Sequence, residues 1–423
     1  MKMRIAVIAA VAAGCCVTFS PAATAASTVD IALVEGFHTV SDVLDGPRAS
    51  LSADGRFVAV VTRRQLVSED TDAFEDVYRI DRQTGAVDWV SKAPGGQPQD
   101  WSALNPRISG DGRYVAFESS LNLVPAQRGP RSDAQQVFRY DAMSLAIELV
   151  SVNADGLASE GPAGRPKISA DGNVVVFGSR YSDFGVAEDT NRRSDVYRRD
   201  MSSGETTLGS RTGSGEIFTC AEATPEAVSA NGRYTLFITR CRDPTTTDTN
   251  GKADLFRFDA ETGSSVLVSR TTEGKAAGIA GTASLSGSGR IAIYQSLSHR
   301  IVPGDTPDTL NLFRVDVDAG TTTMVPGTPM SFDNVTDVSS NGRFIALGRT
   351  GQFSGFAVFR VDTITGAQRR ISVGDSGQLV GGSPLALSAN GRVALFVTDE
   401  PGLDADSEGN PGQLNLYAWQ LLE

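Results

Sequence analysis

Short, continuously apolar runs recur along this chain, each set off by a polar turn. They are Phe57-Val-Ala-Val-Val61, Tyr114-Val-Ala-Phe117, Val174-Val-Val-Phe177, Tyr234-Thr-Leu-Phe237, Ile291-Ala-Ile-Tyr294, Phe344-Ile-Ala-Leu347 and Val393-Ala-Leu-Phe396. Runs that do not alternate belong to strands buried on both faces. The turn ahead of each reads Ser-x-Asp/Asn-Gly or a near variant: Ser52-Ala-Asp54-Gly55, Ser109-Gly-Asp111-Gly112, Ser169-Ala-Asp171-Gly172, Ser229-Ala-Asn231-Gly232, Ser286-Gly-Ser288-Gly289, Ser339-Ser-Asn341-Gly342 and Ser388-Ala-Asn390-Gly391. Asp-Gly and Asn-Gly tolerate the positive φ of a tight hairpin. Successive serines lie 57, 60, 60, 57, 53 and 49 residues apart. A period of that length built from strand-like units marks a repeat architecture, in which each unit buries its faces against its neighbours.

Each period holds four strand signals. A short run precedes the serine, as in Pro106-Arg-Ile108 and Pro384-Leu-Ala-Leu387, and the apolar run follows the turn. The third signal is aromatic and β-branched, and in most copies it closes on Asp: Val77-Tyr-Arg-Ile-Asp81, Val137-Phe-Arg-Tyr-Asp141, Val196-Tyr-Arg-Arg-Asp200, Leu255-Phe-Arg-Phe-Asp259, Leu312-Phe-Arg-Val-Asp316, Val358-Phe-Arg-Val-Asp362 and Leu416-Tyr-Ala-Trp419. That Asp often opens a second turn ending in Gly, as in Asp81 to Gly85, and a more polar fourth strand follows. The pattern predicts an all-β fold, a seven-bladed β-propeller of four-stranded antiparallel blades, with repeats starting near 47, 104, 164, 224, 281, 335 and 383. The last unit lacks a fourth strand, and an orphan run, Val29-Asp-Ile31-Ala-Leu33-Val34, precedes the first. Residues 28–35 are therefore expected to close blade 7, within a single domain over 26–423.

The first 25 residues read as a signal peptide: basic Lys2 and Arg4, apolar Ile5 to Phe19, and a small-residue site at Ala23-Thr24-Ala25. The apolar stretch is short for a membrane span, so a soluble chain exported to the periplasm or medium is expected. Ala13-Gly14-Cys15 offers a lipoprotein box as the alternative. Loss of Lys2 and Arg4 takes the net charge from −12 to −14, a poor match for nucleic-acid phosphates or anionic lipid. Of the four cysteines only Cys220 and Cys241 follow the cleavage site. With Asn231-Gly232 at a hairpin tip, opposed residues sum to 463 and these two to 461, about one pair out of register. Export makes a disulfide between them the expectation, with two free thiols as the alternative.

The Ser-x-Asp-Gly turn, the apolar run and the aromatic strand ending in Asp-x-x-Thr-Gly together resemble the TolB-like class of WD-type propeller repeats over essentially the whole mature chain. The resemblance implies the fold. It leaves function open, since that class runs from periplasmic accessory proteins to the propeller parts of peptidases and polysaccharide lyases. Two departures stand out: the proline usual after the turn serine is here Ala, Gly or Ser, and seven units replace six blades plus another domain.

Candidate chemistry sits in the loop after the second strand. Asp70-Thr-Asp72 with Asp76, Asp189-Thr-Asn191 with Asp195, and Asp248-Thr-Asn250 with Asp254 share one spacing, with a degenerate copy from Asp305 to Asn311 and an acidic stretch from Asp404 to Asn410. Alternating oxygen donors on a short loop suit Ca²⁺. The same side chains also shape loops by bonding backbone N–H groups, and that role is the favoured one. The two histidines, His38 and His299, lie in no metal or triad pattern. Gly374-Asp375-Ser376-Gly377 echoes a protease nucleophile motif but aligns with loop turns of other units. Arg79, Arg139, Arg198, Arg257, Arg314 and Arg360 recur in the third strand, where pairing with a repeated carboxylate is expected. The favoured function is a non-catalytic monomeric scaffold binding a protein, peptide or glycan at its loop face. A lyase or hydrolase using carboxylates around the central opening is the alternative.

Overall fold

The computed structural model describes residues 29–33, 49–96, 101–129, 133–186, 189–219, 222–243, 250–305, 309–327, 332–350, 356–373, 379–398 and 415–421. These residues form seven four-stranded antiparallel sheets in a ring, as the repeat predicts. Blade 1 consists of strands a (Ala49–Leu51), b (Phe57–Thr62), c (Asp76–Asp81) and d (Val87–Trp89), paired in that order. The same order recurs on 103–149, 163–208, 223–267, 283–324 and 332–370. Blade 7 draws on both parts of the chain: its strands a to c are Ser383–Leu387, Val393–Thr398 and Asn415–Leu421, and Val29–Leu33 pairs antiparallel with the last, Val29 opposite Leu421 and Leu33 opposite Tyr417. The expected closing strand is therefore present. Residues 1–28, Val34 and His38 lie outside the described residues.

The core is divided into seven wedges, each shared by two neighbouring blades, and the seventh joins blade 7 to blade 1. This explains the unbroken apolar runs. On strand b of blade 1, Val58 and Val60 pack toward blade 7 while Ala59 and Val61 pack toward blade 2. Each fully buried side chain of this size contributes about 1.5–3 kcal/mol. Cross-strand aromatic pairs thicken the wedges at one recurring level, among them Phe117–Phe138, Phe177–Tyr197 and Phe396–Tyr417.

Antiparallel order places the a–b and c–d turns at one end of the ring and the b–c and d–a connections at the other. At the turn end the serine is used twice. Ser52 Oγ donates to Asp54 Oδ1 (2.6 Å) and accepts from the Phe57 N–H (2.9 Å), and copies of this arrangement recur around the ring. The residue after the serine links the blades: Ala53 N–H bonds to Gly110 O, Gly110 to Ala170, Ala170 to Ala230, Ala230 to Gly287, Ser340 to Ala389, and Ala389 back to Ala53, at 2.7–3.0 Å. Proline has no N–H to give. Its replacement by Ala, Gly or Ser is what permits these six links; among the described residues no such bond runs from Gly287 to Ser340, so the chain of links is open between blades 5 and 6.

The turn glycines pack as tightly. Gly172 has φ +73°, and a Cβ there would lie 2.2 Å from the Tyr114 ring of the preceding blade. Ser286 and Ser288 reproduce the arrangement in blade 5 without an acidic residue, with Ile291 N–H on Ser286 Oγ at 2.9 Å.

Candidate functional site

At the loop end, the b–c loop of blade 1 brings Asp70, Asp72 and Asp76 together, with one carboxylate oxygen of each within 4.8 Å of the others. Protein donors already reach them. The Tyr78 hydroxyl donates to Asp70, Asp72 N–H to Asp70 Oδ1 (3.2 Å), Phe74 N–H to Asp72 Oδ1 (2.9 Å), and both Trp89 Nε1 and Ser91 Oγ to Asp76 Oδ1. Burial pushes the Asp76 carboxyl up to about 6, with Asp70 and Asp72 adding to the push while Ser91 and Trp89 oppose it. An oxygen set of this kind fits a hard cation such as Ca²⁺.

The other two loops are arranged differently. Asn191 and Asn250 turn their amide nitrogens onto Asp195 and Asp254, at 2.8 and 3.0 Å, and give their oxygens to the N–H groups of Arg193 and Lys252. An amide that donates to a neighbouring carboxylate is bracing the loop. Ser210 and Ser269 donate to the same two aspartates, and their hydroxyls accept the N–H groups of Val196 and Leu255. Asp189 takes the Tyr197 hydroxyl on Oδ2, while its buried Oδ1 has no hydrogen-bond partner among the described residues. Burial raises the Asp195 carboxyl to about 6. Asp248 and the stretch 404–410 lie outside the described residues, as do 374–378 with their protease-like motif.

The recurring arginines of strand c are structural, though their common partner is not the expected carboxylate. Arg79, Arg139, Arg198, Arg257 and Arg360 each donate to the carbonyl of the turn glycine one blade ahead, Gly112, Gly172, Gly232, Gly289 and Gly391, at 2.5–3.1 Å. Several also lie over the aromatic residue that opens strand b, as Arg79 over Phe57 at 3.9 Å and Arg360 over Phe344 at 3.5 Å. Acidic partners join in some blades only: Asp88, Glu148 and Asp318. The repeated Asp at the end of strand c pairs instead with the arginine after the turn glycine, as in Arg56–Asp81, Arg113–Asp141, Arg233–Asp259, Arg290–Asp316 and Arg343–Asp362. Sequence reasoning overlooked that Gly-Arg dipeptide, although its recurrence was there to be read.

Strand a of each blade lies innermost and contacts strand a of the next, so this strand faces the central opening. In blade 4 a bulge between Pro225 and Ala227 sets Glu226 out of the ladder, the device by which sheets re-aim a side chain. Burial raises its carboxyl pKa, against the pull of Lys167, Arg107 and Arg165 from blades 2 and 3. Nearby Glu118, also raised by burial, accepts from Asn105 Nδ2 and from the Arg165 N–H, and so anchors two residues of positive φ.

The same bulge changes the hairpin arithmetic. Pairs inside it sum to 463 and those beyond it to 462, as with Ala223 opposite Thr239, one step closer to the cysteine sum of 461. Cys241 is buried in the wedge between blades 3 and 4; Cys220 lies outside the described residues. His299 is exposed in the b–c loop of blade 5. Among the described residues no helix is long and apolar enough to cross a membrane.

No family model and no curated protein matches this chain. Solved structures do. The β-propeller domain of the Trilobed protease from Pyrococcus furiosus matches at 11% identity and TM-score 0.54, over 92% of this chain and 96% of that one; it is described as having an open velcro topology, whereas blade 7 here is completed by Val29–Leu33. An oligogalacturonate lyase in complex with manganese matches at 12% identity and TM-score 0.54, over 95% of both chains. TolB from Acinetobacter baumannii matches at 17% identity and TM-score 0.42, over 88% of this chain and 82% of that one. At these identities the likeness is one of fold, the propeller that the TolB-like repeat implies.

Proposed function

We propose that this chain is an exported binding propeller whose loop end recognises a protein, peptide or glycan. One observation carries the proposal. Phe74 and Trp101 stand 41% and 53% exposed in neighbouring b–c and d–a connections, which are tied together by Ala103 N–H to Glu75 O (2.7 Å) and Glu75 N–H to Ser102 Oγ (3.3 Å). Phe74 lies between Asp72 and Asp76, so this aromatic pair adjoins the acidic cluster. Exposed aromatics held on a rigid frame are the residues on which recognition surfaces concentrate their binding energy. Ca²⁺ held by Asp70, Asp72 and Asp76 would brace this surface, and a disulfide between Cys220 and Cys241 belongs to the same picture of an exported chain.

The test is capture of partners by the mature protein, with and without Ca²⁺, compared with a Phe74→Ala, Trp101→Ala double variant. Loss of the captured partner in the variant supports the proposal, and unchanged capture refutes it. Glu226 supports a second reading, a carboxylate enzyme working at the central opening. Its proton affinity is raised and three cations surround it, an arrangement that suits a general acid beside an anionic substrate. Lyase and peptidase propellers are among the structures of similar fold. Turnover of acidic oligosaccharides that is abolished by Glu226→Gln would favour this second reading.

A further inference from the structure

Near the turn end, strand d sets one residue directly opposite each recurring strand-c arginine. In blades 1 and 2 that residue is an acid: Asp88 opposite Arg79 and Glu148 opposite Arg139, each as an ion pair. In blades 3, 4 and 5 it is Thr207, Val266 or Thr323. Blade 6 reverses the charge, with Arg369 directly opposite Arg360. Side chains opposed in this way lie about 5 Å apart at Cβ, and like charges there repel. The neighbouring blade departs from the repeat as well. In blade 7 the closing Asp, which elsewhere pairs with the arginine after the turn glycine, is replaced by Gln420, opposite Val393 as Asp81 is opposite Phe57. The arginine at that position of blade 7 is Arg392.

These guanidinium groups are held in place. Arg360 Nε donates to the Gly391 carbonyl of blade 7 at 2.6 Å, and its guanidinium lies 3.5 Å from the centre of the Phe344 ring. Arg343 lies over the same ring at 5.1 Å and donates to Asp362 at 2.8 Å. Arg369 reaches 5.6 Å from the ring of Trp419, which is buried in the wedge between blades 6 and 7. Burial and then the charge of Arg369 push the Arg360 pKa down to about 10; Arg343 and Arg392 add to the push, and Asp362 opposes it. Cations from two blades thus gather at one junction. Guanidinium forks present their donors in the geometry that phosphate and sulfate oxygens accept. Forks already fixed by rings and carbonyls lose little freedom when an anion arrives.

We propose that the turn end of the junction between blades 6 and 7 binds a tetrahedral oxyanion, phosphate or sulfate, which brings there the negative charge that Asp88 and Glu148 bring in blades 1 and 2. The site lies at the opposite end of the ring from the surface proposed above, so its test stands apart from that reading. The protein is melted in about 10 mM phosphate, in sulfate at the same concentration, and in chloride of matched ionic strength, which reports the screening of like charges alone. Phosphate or sulfate is expected to raise the melting temperature over chloride by roughly 2 °C, and the larger rise identifies the anion. Arg369→Glu installs the acid found in blades 1 and 2. It should melt above the parent in chloride and no longer respond to the oxyanion. Arg369→Gln removes the charge without adding one, and it too should lose the response while melting no lower than the parent in chloride. Equal melting of the parent in all three salts overturns the site. A response that persists in both Arg369 variants also overturns it, because the anion is then held elsewhere, as beside Arg107 and Lys167.

Discussion

The two ends of the ring are built from opposite kinds of sequence. At the turn end one short phrase is repeated, and almost every polar group in it is consumed: serine on Asp and on the next strand, arginine on the closing Asp, strand-c arginine on the next blade's glycine carbonyl, and backbone N–H groups in links between neighbouring blades such as Ala53 to Gly110. At the loop end the copies diverge. Blade 1 carries a carboxylate cluster with two exposed aromatic residues, while blades 3 and 4 fold their Asn side chains inward as braces. In a repeat protein, what recurs holds the units together, and what departs from the repeat is free to serve a ligand.

Cutting the ring at its seam is the harshest way to break the comparison. A chain that begins after residue 33 loses the strand paired with Asn415–Leu421 and exposes that edge. It should melt far below the parent, by roughly 10 °C, and associate on size-exclusion chromatography. A monomer with unchanged melting would show that the turn-end link between blades 7 and 1, Ala389 N–H to Ala53 O, holds the seam unaided.

Two glycines sharpen the contrast at single-residue scale. Gly172 at the turn end and Gly156 at the loop end both have positive φ, +73° and +79°, but a Cβ at 156 meets nothing within 4 Å. Alanine at either site incurs the left-handed backbone cost of about 1 kcal/mol. At 172 it must also displace the Tyr114 ring, for a total on the order of 3 kcal/mol. Thermal unfolding of the two variants should therefore differ clearly, and equal losses would mean that the turn end yields as readily as the loops.

Titration separates the ends in another way. At the loop end the buried Asp76 and Asp195 carboxyls, raised from 3.8 to about 6, bind protons in the folded chain that the unfolded chain releases. Their cost is complete above about pH 6 and is relieved as the pH falls toward 4. At the turn end, Asp81 and Asp141 are held well below their ordinary value by the Arg56 and Arg113 guanidinium groups, so their contribution persists above about pH 4 and is lost beneath it. Melting temperature should rise from pH 7 to about 5, by an amount reflecting on the order of 2 kcal/mol per buried Asp, and fall below pH 4. In the double variant Asp76→Asn, Asp195→Asn the rise should flatten; a steady decline from pH 7 would contradict the burial.

How far the sequence carried follows from the same division. Strand order, blade number and the closing strand were legible because seven copies average out local ambiguity, and because unbroken runs such as Phe57 to Val61 demand cover on both faces. The partner of the strand-c arginines was not legible: a glycine carbonyl in the next blade is a backbone group and leaves no mark in side-chain chemistry. The purpose of Ala, Gly or Ser after the turn serine was hidden for the same reason, since the N–H it supplies exists in every residue except proline. The bulge at Glu226 could not be seen without knowing how many residues stand opposite it. Phe74 and Trp101 escaped notice because they lie in diverging connections, where the period assigns no equivalent position.

The smallest effect on stability is expected where the proposed function is strongest. Phe74 and Trp101 are largely in solvent, so their truncation to Ala should change unfolding free energy by no more than about 0.5 kcal/mol each. Their side chains nonetheless offer the largest exposed aromatic area beside the Asp70, Asp72 and Asp76 cluster. A double variant that melts with the parent but no longer retains a bound partner would separate folding from recognition at these two positions. A double variant that instead melts several degrees lower would show that the aromatics pack into the fold. The loop end of blade 1 would then belong with the turn end, as part of the frame.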